Sequence, residues 1–315
     1  MSVTRKPRLL QIGPLTPDLE ARLPEFCEID ALWKQSDRDR FLLDNGASYV
    51  GILTHAAHKC PADLIEMVPN AQCIISYGAG TDNIDLSAAA RSGVQVLSTP
   101  DLNVDCVADM AMGLILSVSR NIAAYDRMSR RGGWLTGELR PLTIKVTGKR
   151  LGLLGFGRIG AAIARRSVGF DMDVRYCSRT PRAGLEMTHM PRLIDLASWC
   201  DILVVACPGG PATRHLVDSN VLDALGPSGL LINVARGSVV DEAAMIAALQ
   251  RGQIAGAGLD VYADEPRIPT ELLSMENVVL TPHVSGFTHE TRSAMEETFM
   301  RYFQTEFGVK TPVKI

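Results

Sequence analysis

Residues 151–160 read Leu-Gly-Leu-Leu-Gly-Phe-Gly-Arg-Ile-Gly. An apolar run with strand character enters the pattern G-x-G-x-x-G, carried by Gly155, Phe156, Gly157, Arg158, Ile159 and Gly160. Helical spacing follows over 159–168 and closes at Gly169. In such a turn the first glycine allows the sharp reversal, the second lets a pyrophosphate approach the backbone, and the third lets helix and strand pack closely. The helix N-terminus then offers unpaired N–H groups to the anion. A lone pattern of this kind is weak evidence. With a strand before it and a helix after it, it reads as a dinucleotide-binding turn, the alternative being a purely structural one.

The same alternation extends outward. Strands are expected at 150–154, 173–177, 202–206, 230–234, 257–261 and 278–280, with helices between them, one at 242–250. Six strands with intervening helices make a doubly wound parallel sheet. Upstream, strands are expected at 8–12, 49–53, 73–77 and 94–97, with helices at 61–68 and 86–91, which implies a second parallel sheet. One long helical pattern covers 104–130 and stops at Gly132-Gly133. After His283, the spacing of Met295, Phe299, Tyr302 and Phe303 predicts a helix too apolar to stand alone. A chain of 315 residues fits about two domains.

Composition narrows the function classes. The net charge is -3, so no basic excess points to nucleic acid or an anionic membrane. The short basic run 127–131 reads as a solvated helix end. The longest apolar run, 110–118, has about half the length of a membrane-spanning helix, and the N-terminus lacks the apolar stretch of a signal peptide. A soluble cytoplasmic protein is the expectation. Seven cysteines, with no C-x-x-C pair and no His/Cys cluster at ligand spacing, predict buried thiols and no metal site.

The strand after the turn bears on which dinucleotide is bound. An NAD site usually carries Asp or Glu there, about 20 residues beyond the glycines, to hold the ribose hydroxyls. Here the strand runs into Ser178-Arg179-Thr180. Ser178 removes a charge that would repel a 2′-phosphate, Arg179 can pair with it, Ser178 and Thr180 can donate to it, and Arg158 adds to the positive rim. NADP(H) is therefore expected over NAD(H). The alternative is a solvated Arg179 and a weak preference.

Three charged residues stand just past strand ends: Arg236, Glu265 and His283. Carboxyl ends of strands line the ligand crevice of a doubly wound sheet. Each residue alone has a bland reading as surface, turn or structural; together, beside a dinucleotide turn, they match the reduction of a 2-oxo acid. That reaction needs a hydride at carbon and a proton at oxygen. His283 can give the proton, Glu265 can orient and charge the imidazole, and Arg236 can bind the carboxylate and polarise the carbonyl.

Asn233-Val234-Ala235-Arg236-Gly237, the stretch 258–266 (GLDVYADEP) and Thr281-Pro-His-Val284 resemble the D-isomer-specific 2-hydroxyacid dehydrogenases, as does 155–160. The resemblance covers nearly the whole chain. Ser178-Arg179-Thr180 is most similar to the NADPH-using hydroxyphenylpyruvate and glyoxylate/hydroxypyruvate reductases of that family. It implies two Rossmann-like doubly wound parallel-sheet α/β domains with an interdomain cleft. The substrate-binding, flavodoxin-like domain would join 1–98 to 284–315, and the dinucleotide-binding domain would span 99–283. It implies that Gly78, Ala79 and Gly80 hold the substrate carboxylate, with Leu53 and Tyr77 beside them. Cys207, Pro208, Thr213, Val234, Ala235 and Val104 would line the cofactor, and Asp260 would face the nicotinamide amide. A homodimer built on the long helix and the arm after it is also implied. After His283 the chain reads Val-Ser-Gly, where the family more often has Gly before Ser, leaving open whether Ser285 or Gly286 meets the nicotinamide. His55 reads equally as a substrate contact or a loop residue, and Trp134 as a neighbour-subunit contact or a packing residue. Two rival functions remain: an NAD-dependent dehydrogenase of another acid, and a non-catalytic NAD(P)-sensing binding protein.

Overall fold

The computed structural model describes residues 6–308 apart from Ala56. The expected outer limits of the first domain, 1–5 and 309–315, lie outside them. The chain falls into two compact units. One contains the described residues up to Asn103 and from Thr288 onward; the other is Val104–Phe287.

The first unit is a five-stranded sheet of β1 (Arg8–Gln11), β2 (Glu28–Ala31), β3 (Gly51–His55), β4 (Cys73–Tyr77) and β5 (Gln95–Leu97), in the order β2-β1-β3-β4-β5. All its pairings are parallel. The helix His289–Phe307 places Phe299 and Phe303, both fully buried, among Leu9, Leu53 and Ile75. Burial of that kind stabilises by about 1.5–3 kcal/mol per large side chain, which is why this apolar helix cannot stand alone.

The second unit holds β6 (Arg150–Leu154), β7 (Asp173–Cys177), β8 (Thr188–His189), β9 (Ile202–Val205), β10 (Leu230–Asn233), β11 (Gly256–Leu259) and β12 (Val278–Leu280). Their order is β12-β11-β10-β9-β6-β7-β8, again all parallel. The reversal between β6 and β9 is the switch point at which such sheets bind ligands. On one face lies the helix Val104–Ser119. A Cβ at Gly258 would stand 2.9 Å from Leu114, so β11 uses glycine there where this helix lies close; one at Gly256 would meet the Asn277 carbonyl oxygen at 2.5 Å and Val118 at 3.1 Å.

Two strands were not expected. β2, Glu-Ile-Asp-Ala, is an edge strand with no fully buried residue, so it lacks an apolar run. β8 has only two residues. The long helical pattern 104–130 is also two helices, Val104–Ser119 and Ile122–Arg130, meeting at 63°. Asn121 adopts φ 51°, a left-handed conformation that Asn tolerates better than most residues and that ends the first helix. No single helix among the described residues is long and apolar enough to cross a membrane.

Candidate active site

The glycine turn has the geometry its sequence implies. Gly155 sits at φ 98°, and a Cβ there would come within 2.6 Å of the Cys207 amide nitrogen. A Cβ at Gly160 would come within 2.4 Å of the Gly155 carbonyl oxygen. Gly157, by contrast, faces open space. It is the N-cap of the helix Arg158–Ser167 and supplies no side-chain cap, so the first-turn amides remain available to an anion. This open, uncapped turn fits the pyrophosphate of a dinucleotide. Phe156 is buried, with its ring 4.6 Å from that of Tyr176, and Ile159 is half-buried behind it.

Beyond β7, the Ser178 hydroxyl donates to the Thr180 carbonyl at 2.7 Å, and Arg179 and Thr180 are exposed. Arg158 is likewise exposed at the helix start. After β9, the Thr213 hydroxyl donates to the Pro208 carbonyl at 2.8 Å and ties the 207–213 loop together. Burial pushes the Cys207 thiol up to about 11, so it stays protonated at neutral pH. Val234 and Ala235 are buried at the end of β10, and Val104 is half-buried at the start of its helix.

The three charged residues come from the carboxyl ends of adjacent strands, β10, β11 and β12. His283 Nδ1 lies 2.6 Å from Glu265 Oε2, and Glu265 Oε1 accepts the Tyr262 N–H at 3.0 Å. Burial alone would raise the Glu265 carboxyl; the hydrogen bonds from His283 and Tyr262, with the charges of His283 and Arg236, pull it below the usual carboxylate range. The hydrogen bond to Glu265 raises the His283 imidazole above its ordinary value, overcoming burial and the opposing charge of Arg236. With Nδ1 engaged by Glu265, Nε2 is the nitrogen left to exchange a proton with a ligand.

Arg236 is placed by a residue to which the sequence reading gave no role. Asn233, buried at 1 % exposure, accepts the Ala235 N–H at 3.1 Å and donates to the Arg236 carbonyl at 3.1 Å, closing the turn that carries Arg236. The guanidinium itself donates to the Ala235 carbonyl at 2.8 Å. Gly237 lets this turn sit against the next one, since a Cβ there would lie 2.0 Å from the Tyr262 carbonyl.

Asp260, which the resemblance assigns to the nicotinamide amide, is bonded to the loop that carries His283. It is 1 % exposed, and its carboxylate accepts the Val284 and Ser285 N–H groups at 2.9 Å each. It also accepts the Ser285 hydroxyl and, at 2.5 Å, the Thr281 hydroxyl. The His283 N–H adds a bond of 2.9 Å to the Asp260 carbonyl. Asp260 thus anchors the 281–285 loop and holds His283 at φ 53°, a left-handed conformation costing a non-glycine residue about 1–2 kcal/mol. Ser285, buried and bonded to Asp260, belongs to this anchor. The signal was the Asp-to-Thr-x-His-x-Ser spacing, but which donors surround a buried carboxylate is a tertiary fact.

In the first unit, Leu53 is fully buried among core residues and offers no side-chain surface to a ligand, so packing explains it. Tyr77 stacks on His55, with ring centres 5.6 Å apart. Gly78 exchanges hydrogen bonds with Thr99, its N–H donating to the Thr99 hydroxyl at 3.1 Å. Its amide is therefore occupied, and Ala79 and Gly80 are the donors left in that loop among the described residues.

Residues 112–285 match the family described as D-isomer specific 2-hydroxyacid dehydrogenase, NAD binding domain. The chain belongs to this family. It is an oxidoreductase with a domain for a nicotinamide cofactor. The dehydrogenase is 40 % identical over 308 residues to the hydroxyphenylpyruvate reductase of Plectranthus scutellarioides, covering 97 % of this chain and 98 % of that one. It is 41 % identical to a glyoxylate/hydroxypyruvate reductase of Arabidopsis thaliana, with the same coverage. Its fold is similar, at a TM-score of 0.89 and 40 % identity, to the NADPH-dependent glyoxylate/hydroxypyruvate reductase of Sinorhizobium meliloti solved with NADP and malonate. That alignment covers 98 % of this chain and 97 % of the other.

Proposed function

We propose that this dehydrogenase reduces small 2-oxo acids with NADPH, glyoxylate to the achiral glycolate and hydroxypyruvate to the D-2-hydroxy acid. The observation that carries the reading is the His283–Glu265 pair, 2.6 Å apart, with the Arg236 charge acting on both. When bound, the nicotinamide supplies the hydride. His283 holds a proton on Nε2 for the carbonyl oxygen, and Glu265 keeps the ring oriented and charged. Arg236 pairs with the substrate carboxylate and draws electron density from the carbonyl. In the first unit, considered by itself, the amides of Ala79 and Gly80 are donors that suit a carboxylate. Val104–Phe287 is the dinucleotide-binding unit in this reading. Chiral chromatography of the product from hydroxypyruvate and NADPH tests it; the D acid is expected, and an L or racemic product would overturn it.

NADPH is favoured by the absence of a carboxylate at the end of β7 and by exposed Arg179 in its place. The S. meliloti reductase, described as NADPH-dependent, supports the same choice. Arg179→Ala removes a charge-assisted contact of about 1.5–3 kcal/mol, so the KM for NADPH is expected to rise roughly 10- to 100-fold. The KM for NADH should stay within about twofold. Equal changes in steady-state kinetics with the two cofactors would remove the 2′-phosphate argument.

A homodimer is the assembly we propose. Trp134, Leu135, Leu139 and Leu142 are 70 %, 94 %, 85 % and 101 % exposed in the segment after the helix Ile122–Arg130. Apolar side chains concentrated this way on a surface mark a protein contact. Sedimentation equilibrium is expected to give twice the chain mass, and a Trp134→Glu/Leu139→Glu variant to give the monomer. A monomeric parent protein would contradict this assignment.

A further inference from the structure

The loop after β7 is held by two residues, His189 and Tyr176, that belong neither to the charged trio nor to the glycine turn. β8 pairs with β7 so that His189 stands beside Tyr176, with ring centres 5.1 Å apart. His189 Nε2 lies 2.9 Å from the Ser178 carbonyl oxygen. A carbonyl only accepts, so this nitrogen carries the proton. The Tyr176 hydroxyl accepts the Arg182 N–H at 2.9 Å. The loop 178–182 is therefore held at both ends, with the Ser178 hydroxyl closing it internally onto Thr180. Tyr176 also leans on Phe156 of the glycine turn, at 4.6 Å. One aromatic stack, Phe156–Tyr176–His189, thus ties the pyrophosphate turn to the loop carrying Arg179.

We propose that His189 and Tyr176 are positioning residues for cofactor choice. They hold 178–182 in the form that receives a 2′-phosphate, with the exposed guanidiniums of Arg179 and Arg182 both presented by the fixed loop. The inference rests on the NADPH reading above. The physical reason is preorganisation: a loop already ordered loses less conformational entropy when it binds an anion. It also gives β8 a purpose. A two-residue edge strand adds little to the sheet, but it sets His189 against the loop.

Direct binding tests this without turnover. The probes are 2′,5′-ADP and 5′-AMP by calorimetry, and NADPH and NADH by fluorescence. His189→Phe keeps a ring on Tyr176 and removes the N–H; Tyr176→Phe removes the hydroxyl that accepts from Arg182. Each is expected to weaken 2′,5′-ADP and NADPH about fivefold and to leave 5′-AMP and NADH unchanged, since one hydrogen bond to the loop is lost. His189→Gln retains an N–H donor and is expected to recover most of the loss. Uniform weakening of all four probes would reduce both residues to ordinary packing and overturn the inference, as would no change in any. If Arg179→Ala abolishes the preference for 2′,5′-ADP while His189→Phe leaves it intact, the inference fails and the NADPH reading stands. If the unaltered protein binds 2′,5′-ADP no better than 5′-AMP, both fall.

Discussion

His283→Ala is expected to lower kcat for 2-oxo acid reduction by about 10²–10⁴-fold, the range general acid catalysis supplies. The dissociation constant of NADPH should stay within about twofold, since no cofactor-binding role is assigned to the imidazole. His283 sits at φ 53°, where a substitution can disturb the loop as well as remove the acid. His283→Asn separates the two effects, because Asn tolerates that conformation, and it should lose as much rate as alanine. Near-normal turnover in either variant would remove His283 from the mechanism. The pH profile gives a second check. The His283 pKa is raised, first by its bond to Glu265, so the donating imidazolium persists above the ordinary histidine range and is lost as pH rises through the raised value. Reduction should fall on the alkaline side accordingly. Glu265→Gln removes the charge that holds the proton and leaves only a weaker neutral acceptor, so this fall should move to lower pH.

Arg236→Ala is expected to cut kcat/KM for the acid by roughly 10²–10³-fold, about 3–4 kcal/mol, as for loss of one partner of a desolvated, hydrogen-bonded charge pair. The loss should appear in both the KM for the acid and kcat, because the guanidinium is assigned to the carboxylate and to the polarised carbonyl. Arg236→Lys should recover only part of it, since an ammonium lacks the planar fork. The charge of Arg236 also lowers the His283 pKa, so its removal should move the alkaline fall to higher pH, opposite to Glu265→Gln. A variant with unchanged KM for the acid would show that another group holds the carboxylate.

The glycine turn was readable because each of its glycines answers a local requirement, and Gly155 and Gly160 indeed lie against backbone atoms that exclude a Cβ. The buried strands of the second sheet were readable for a similar reason: β9 and β10 are buried at every position and carry continuous apolar runs. β2 carries no such run because it lies at an edge, and β8 owes its existence to register with β7. The break at Asn121 was hidden because apolar spacing continues through it while one residue turns left-handed. At the site, charged residues past strand ends announced themselves, and Glu265 and His283 meet directly. Asn233 and His189 did not, nor did the loop-anchoring bonds of Asp260, because such work is to satisfy backbone groups of loops whose paths are set by the whole sheet. The occupied amide of Gly78 belongs to the same class: Thr99 lies 21 residues away in sequence.

The most direct test of the account is the initial rate of NADPH and NADH oxidation by the purified protein against glyoxylate, hydroxypyruvate, pyruvate and phenylpyruvate. Turnover with NADPH on at least one small acid, at a kcat/KM at least tenfold above that with NADH, is the predicted result. Turnover with NADH alone would contradict the cofactor assignment, and measurable NADPH binding without turnover of any acid would contradict the catalytic one.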